Sequence, residues 1–257
     1  MKKISLILLA IVGIIILGYG NIYWQEQITQ MTHQKEEPKD LEPQKEEPNV
    51  DLLEVNMEYV RNLPQEVIEK IELGIESQSP IQLALIARNE SDWAQGLEEA
   101  LVDVYGFDLW DIEIITYGNE TITALLQDES LQNIQADVIL FEGPFLNNNL
   151  EGPEWEIALE QLIQLINDWE EEEAVVMIQP PNPIYQGVHF PSQVELYKNY
   201  LLDQGYLYLD HWLEWPDFNS EDILPLLDLD ENEDRRHVSE AGAELWQEYL
   251  IDLFITN

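Results

Sequence analysis

From residue 64 onward, apolar positions along the chain alternate between two rhythms. Val67, Ile68, Ile71 and Ile75 recur at helical spacing within PQEVIEKIELGIE (64–76), and Pro64 suits a first turn. The same period predicts helices in DWAQGLEEALVDVYG (92–106), NETITALLQD (119–128), EWEIALEQLIQLINDWEEE (154–172) and PSQVELYKNYLLDQG (191–205). A last helix is predicted over Ser239–Phe254. Between these stretches lie short, nearly continuous apolar runs: IQLALIA (81–87), IEIITY (112–117), DVILFE (137–142), AVVMIQ (174–179) and YLYLD (206–210). Strands buried on both faces read this way, and their alternation with helices predicts a parallel sheet covered on both sides. The expected fold is one doubly wound five-stranded α/β domain over 51–257, with its site beyond the C-terminal strand ends.

The first fifty residues follow neither rhythm. MKKISLILLAIVGIIILGYG has two lysines and then 17 residues, Ile4 to Gly20, without a charge. A secretory signal usually has a shorter apolar core and a small-residue cleavage site. Here the exit is NIYWQEQ, with Tyr23 and Trp24 at the level of an interfacial aromatic belt. Residues 1–24 are therefore expected to be an uncleaved signal-anchor near the lower length limit for a span. Lys2 and Lys3 would hold the N-terminus inside and the domain outside the cell membrane. Secretion after cleavage is the alternative. Residues 25–50 contain QKEEP twice, at 34–38 and 44–48, and read as a disordered acidic spacer in which His33 is solvated.

Composition adds an exclusion. The 257 residues carry 11 basic and 52 acidic side chains, a net charge of −41. Residues 1–50 hold five lysines and seven acidic residues, so 45 carboxylates face 6 cations in 51–257. Such a surface repels nucleic acid and anionic lipid headgroups, so neither is an expected partner. Adaptation to high salt or alkaline surroundings is the expected meaning, with plain solubility as the alternative. No cysteine is present, which excludes disulfides and thiolate metal sites. No cofactor is expected, and oligomeric state is not legible.

Candidate chemistry gathers at the strand ends, in ARNESDW, GNETIT, GPFLNNN, PPNPIYQGVHF and HWLEWPD, and in DENEDRRHVSEAGAELW (230–246). Asp234 precedes His237 by three residues, a spacing that can orient an imidazole as general base. The same stretch also reads as an ordinary helix start with Ser239 as N-cap and Glu240 in the first turn.

Five parallel strands, an Asn-rich loop after the third and Asp-x-x-His before the last helix resemble the SGNH/GDSL hydrolases, over roughly 80–257. The resemblance is carried by DRRHVSEAG, with Asp234, His237 and Gly242, and by FEGPFLNNN. There Asn147 matches the oxyanion-hole Asn of a Gly-x-Asn-Asp-like block, Asn148 replaces its Asp, and Gly118 in TYGNET matches the oxyanion-hole glycine. The resemblance implies flavodoxin-like strand order and hydrolysis of an ester, an acyl group on a cell-envelope carbohydrate or lipid. His237 would be the base, Asp234 its orienter, and Asn147 and Gly118 the oxyanion donors. One block departs from the pattern: IQLALIARNES puts Ala87, Arg88 and Asn89 on Gly-Asp-Ser, so Asn89 holds the nucleophile position. Ser91 is two residues on and takes the role only if the turn is rebuilt. No serine lies in Gly-x-Ser-x-Gly or Ser-x-x-Lys.

Each residue also has a plain alternative. Ser91 suits the N-cap of the next helix, FLNNN a turn, and Gly118 a turn glycine. His189 and His211 read as rim residues, and QPPNPIY as a stiff cleft wall. Trp93, Trp110, Trp212 and Trp215 suit either a sugar-stacking surface or the core. DLDENED places Asp228, Asp230 and Asn232 like a calcium loop, but Glu233 and Ser239 replace its Gly and Glu, so no metal site is expected. Three functions follow: an ester hydrolase, a catalytically degenerate domain that binds an envelope glycan or protein, which Asn89 favours, and a structural spacer.

Overall fold

The computed structural model of the chain describes residues 57–89, 91–106, 109–146, 148, 154–229 and 237–256. The expected anchor (1–24) and spacer (25–50) lie outside them. Among the described residues no helix is long and apolar enough to cross a membrane.

The apolar runs form β1 (Ile81–Arg88), β2 (Trp110–Tyr117), β3 (Val138–Glu142), β4 (Val175–Gln179) and β5 (Leu207–Tyr208). All pair in parallel, in the order β2-β1-β3-β4-β5, the flavodoxin-like arrangement. Because side chains alternate across a strand, the sheet has two apolar faces. Leu83, Leu85, Ala87, Val138, Leu140 and Met177 face one core, with α1 (Gln65–Ser77), α2 (Trp93–Tyr105) and the last helix. Ala84, Ile86, Ile139, Phe141, Val176 and Ile178 face the other. That side is covered by α3 (Ile122–Leu125), α4 (Glu129–Gln132), α5 (Trp155–Glu171) and α6 (Phe190–Gln204). Burying each large apolar side chain contributes about 1.5–3 kcal/mol, so the two cores supply most of the cohesion.

The helix expected over 119–128 is reduced to α3, Ile122–Leu125, and α4 follows beyond it at Glu129–Gln132. Asp128 accepts a hydrogen bond from Ser130 N (2.8 Å), and this local capping starts a new turn rather than extending the old one. The fifth strand is shorter than expected, because the chain turns at Asp210 into a 3-10 helix, His211–Glu214. A second 3-10 helix, Glu221–Leu226, leads into an antiparallel pair, β6 (Leu227–Asp228) with β7 (His237–Val238).

The last helix, α7 (Glu240–Phe254), is capped as the sequence predicts: Ser239 Oγ accepts from Gly242 N (3.2 Å). A Cβ at Gly242 would collide with the Leu226 carbonyl, so close backbone approach requires the glycine. Trp246 Nε1 donates to Gln179 Oε1 at the end of β4 (2.8 Å), whereas Phe254 packs on Trp110 at the start of β2 (6.0 Å). Helix α7 therefore begins at the carboxyl end of the sheet, which brings His237 there as well.

Candidate functional site

At the carboxyl ends of β1 and β2, two of the expected blocks meet. Asn89 N donates to Tyr117 O (2.8 Å), and the Asn89 side chain is exposed. A Cβ on Gly118 would lie 3.6 Å from Asn89 Nδ2. The Gly118 N–H, expected as an oxyanion donor, donates to Glu120 Oε2 at 2.6 Å. A ligand oxygen can use this donor only when the Glu120 carboxylate swings away.

Beneath this rim lies a buried polar network. Glu142, which closes β3, is fully enclosed. Its Oε2 accepts from Arg88 N (3.1 Å) and Trp93 Nε1 (2.9 Å), and its Oε1 accepts from Ser91 Oγ (2.9 Å). The buried Arg88 guanidinium pairs with it (Nε to Oε1, 3.7 Å) and donates through Nη2 to Asn182 Oδ1 (2.9 Å). Burial pushes the Glu142 carboxyl above its ordinary value of 4.5, and the Arg88 charge and the three donors oppose that rise.

The network corrects both readings of Ser91. Its side chain is 0% exposed and its hydroxyl is committed to a carboxylate, so a substrate carbonyl has no approach to it. Nor is it the N-cap: Asp92, with left-handed backbone (φ 52°), precedes α2. Arg88, Glu142 and Asn182 were not anticipated. The available signal was a glutamate ending an otherwise apolar strand, DVILFE, since a fully buried carboxylate needs partners.

Asn147 lies outside the described residues. Its neighbour Asn148 is buried and accepts from Ile122 N at 2.9 Å, tying the loop after β3 to α3. Asn148 also hydrogen-bonds Tyr197, whose hydroxyl burial pushes up to about 12. Gly143 directly follows β3, so a Gly-x-Asn count started there falls on Phe145, a buried ring stacked on Tyr197 (4.5 Å, 5°).

Asp234 also lies outside the described residues. His237 is half-buried in β7 and pairs in register with Asp228. His211 is no rim residue: it is fully buried and stacks on Trp246 (4.0 Å, 8°). Its Nδ1 accepts from Trp215 Nε1 (3.0 Å), so Nε2 carries the proton and donates to Pro180 O (2.9 Å). Burial lowers its pKa from 6.5 to about 3, so it stays neutral and structural. His189 is exposed at the start of α6. Trp93 and Trp110 belong to the core; Trp212 and Trp215 line a groove beside Pro183. Among the described residues, no group of three His, Cys, Asp or Glu side chains could hold a metal ion.

The described ends of β1 and β2 thus offer an exposed amide and a backbone N–H bonded to Glu120, and His237 stands apart in β7, three residues before α7. The described part of the rim contains no accessible hydroxyl nucleophile in the expected place.

No protein-family model and no curated protein matches the sequence. Solved structures do match. A protein assigned to the lipolytic G-D-S-L family from Desulfitobacterium hafniense DCB-2 superimposes with TM-score 0.52 at 14% identity, covering 67% of this chain and 99% of that one. The acetyl xylan esterase AlAXEase gives 0.51 at 14% identity, covering 66% and 98%. LAE5, an alpha/beta hydrolase enzyme from the metagenome of Lake Arreo, Spain, gives 0.53 at 10% identity, covering 68% and 96%. At these identities the likeness is one of fold: the domain has the architecture of the SGNH/GDSL hydrolases.

Proposed function

We propose that the chain is a membrane-anchored, extracytoplasmic domain of hydrolase fold that recognises an ester-bearing carbohydrate of the cell envelope without serine-based chemistry. The observation that carries this reading is the first block. Asn89 stands at the nucleophile position, while the nearby Ser91 is enclosed and bonded to Glu142. A carboxamide cannot become an alkoxide, but it can donate to an acyl carbonyl and accept from a hydroxyl. Esterase neighbours of the same fold support an ester-bearing ligand. The acidic surface favours a neutral carbohydrate over an anionic lipid. The anchor and the outside location rest on residues 1–24, whose two lysines precede an uncharged stretch.

A second reading is slow hydrolysis by a water that His237 activates. It is favoured by the position of His237 at the carboxyl end of the sheet, with Asp234 three residues before it in sequence. One assay separates the two. The full-length chain, in detergent and high salt, is offered a nitrophenyl acetate and an acetylated sugar, beside His237→Ala and Ser91→Ala. The expected outcome is saturable binding of the acetylated sugar with turnover no higher than that of His237→Ala. Turnover lost in His237→Ala alone establishes the second reading. Turnover lost in Ser91→Ala overturns the first.

A further inference from the structure

After β4 and β5 the chain builds a groove that the ester site does not use. It is lined by Pro183, Trp212, Trp215, Pro216, Phe218 and two polar residues, Asp217 and Asn219, and is open to solvent, with a volume of about 390 Å³. Small-molecule sites span roughly 300–1,000 Å³, so one or two sugar rings fit. We infer that this groove is a subsite for neutral sugar rings of a glycan chain. The inference rests on the carbohydrate part of the reading above and names where the chain would lie.

The walls are fixed before any ligand arrives. Prolines have no N–H, and the segment after β4 is instead tied down through its carbonyls and one amide. His211 Nε2 donates to Pro180 O (2.9 Å), Trp212 Nε1 to Pro181 O (2.8 Å) and Gln186 N to Phe218 O (2.8 Å). Trp215, 7% exposed and part of the core, backs the groove, and half-buried Trp212, its N–H committed to Pro181 O, is the ring that offers carbon surface to a ligand. Preorganised walls lower the ordering cost of binding.

The chemistry of the lining selects the occupant. Aromatic faces carry negative quadrupole charge, which attracts the weakly positive C–H face of a pyranose. Asp217 Oδ1 already accepts from Asn219 N (2.8 Å) and Nδ2 (3.2 Å), so Oδ2 is the oxygen left to accept from a hydroxyl. Asp217 is the sole carboxylate among the lining residues, fewer than a lysine-rich peptide would require. The net charge of −41 repels uronic acid and phosphate polymers.

The test is titration of the full-length chain with xylotetraose, O-acetylated xylotetraose and tetragalacturonate at low salt, read by tryptophan fluorescence and calorimetry. Both neutral oligomers are expected to bind, with tetragalacturonate at least about tenfold weaker. Trp212→Ala and Asp217→Ala are each expected to weaken neutral binding about tenfold, as loss of one stacking or one charged contact. If Trp212→Ala unfolds, Trp212→Phe and the exposed-site variants Asp217→Ala and Asn219→Ala carry the test. Neutral oligomers that bind equally to wild type and to the Asp217 and Trp212 variants overturn the inference. So do tetragalacturonate binding as tight as xylotetraose, and capture of a lysine-rich peptide where the sugars fail. Ester recognition is scored separately with nitrophenyl acetate, so failure of that reading leaves groove binding measurable, and the reverse.

Discussion

Replacing Glu142 with glutamine keeps the shape of the side chain but removes its charge and turns one acceptor oxygen into an NH2 group. The amide can face Ser91, because a hydroxyl can accept as well as donate, and its carbonyl then keeps the bonds from Arg88 N and Trp93 Nε1. Most hydrogen bonds therefore survive. What is lost is the counter-charge to the Arg88 guanidinium, which is 5% exposed and then retains Asn182 as its side-chain partner. Stranding one member of a buried ion pair costs about 3–5 kcal/mol. For a domain of this size that is roughly 6–20 °C in melting temperature.

The check is urea unfolding of wild type, Glu142→Gln, Arg88→Met and the double variant. Because the double variant strands no charge, it is expected to recover most of the loss, giving a coupling of roughly 2–3 kcal/mol. A Glu142→Gln cost under about 1 kcal/mol would refute the reasoning, since the pair would then be solvated or neutral. The pH dependence has a definite sign. Burial, the largest influence, raises the folded pKa of Glu142 above 4.5, so the folded state holds this proton more tightly than the unfolded chain. Its contribution is full below the unfolded value of about 4.3 and declines as pH rises through the folded value. Glu142→Gln lacks that decline.

Four further outcomes are expected. Ser91→Ala should lower stability by about 1–2 kcal/mol through one lost hydrogen bond and leave any ester turnover unchanged; abolished turnover would show that Ser91 becomes accessible. Gly242→Ala should cost about 1–3 kcal/mol in urea unfolding, because its Cβ meets the Leu226 carbonyl; a neutral result would mean that the backbone gives way. His211, lowered to about 3, is protonated more readily in the unfolded chain. Its contribution is full above about 6.5 and lost as pH falls toward 3, on the order of 5 kcal/mol in all. A His211 ring resonance titrating near 6.5 by NMR would contradict this. Finally, raising NaCl from 0.1 to 1 M shortens the screening length from about 10 to 3 Å and should raise the melting temperature of a chain of net charge −41; a fall would point to attractive charge networks.

Periodicity made much of the fold legible. The five apolar runs became the five strands in the expected order; β1, β3 and β4, buried on both faces, must be apolar at consecutive positions, whereas the edge strands β2 and β5 are only partly buried. The misses have local causes. Asp128 captured the Ser130 amide and capped a new short helix where the expected one was to end, and Asp210 marked the point where a short strand gave way to a 3-10 turn. His211 could not be told from a rim histidine, since its burial depends on Trp215 and Trp246, four and 35 positions further along the chain.

At the candidate site the limit was different in kind. Sequence spacing could align Arg88 and Asn89 with a hydrolase motif, but not reveal that Arg88 points inward to Glu142, 54 positions away. That pair explains why Ser91 cannot inherit the nucleophile's task. An arginine placed just before the turn needs a buried counter-charge, and the same carboxylate then captures the only hydroxyl in the turn. The polar groups under the rim therefore hold the strand ends together, and among the described residues of the β1 and β2 ends Asn89 and the Gly118 amide beside Glu120 lie nearest the surface. On the proposed reading these donors would hold an acyl oxygen by hydrogen bonding, and attack on it would fall to a water, with His237 taking the proton.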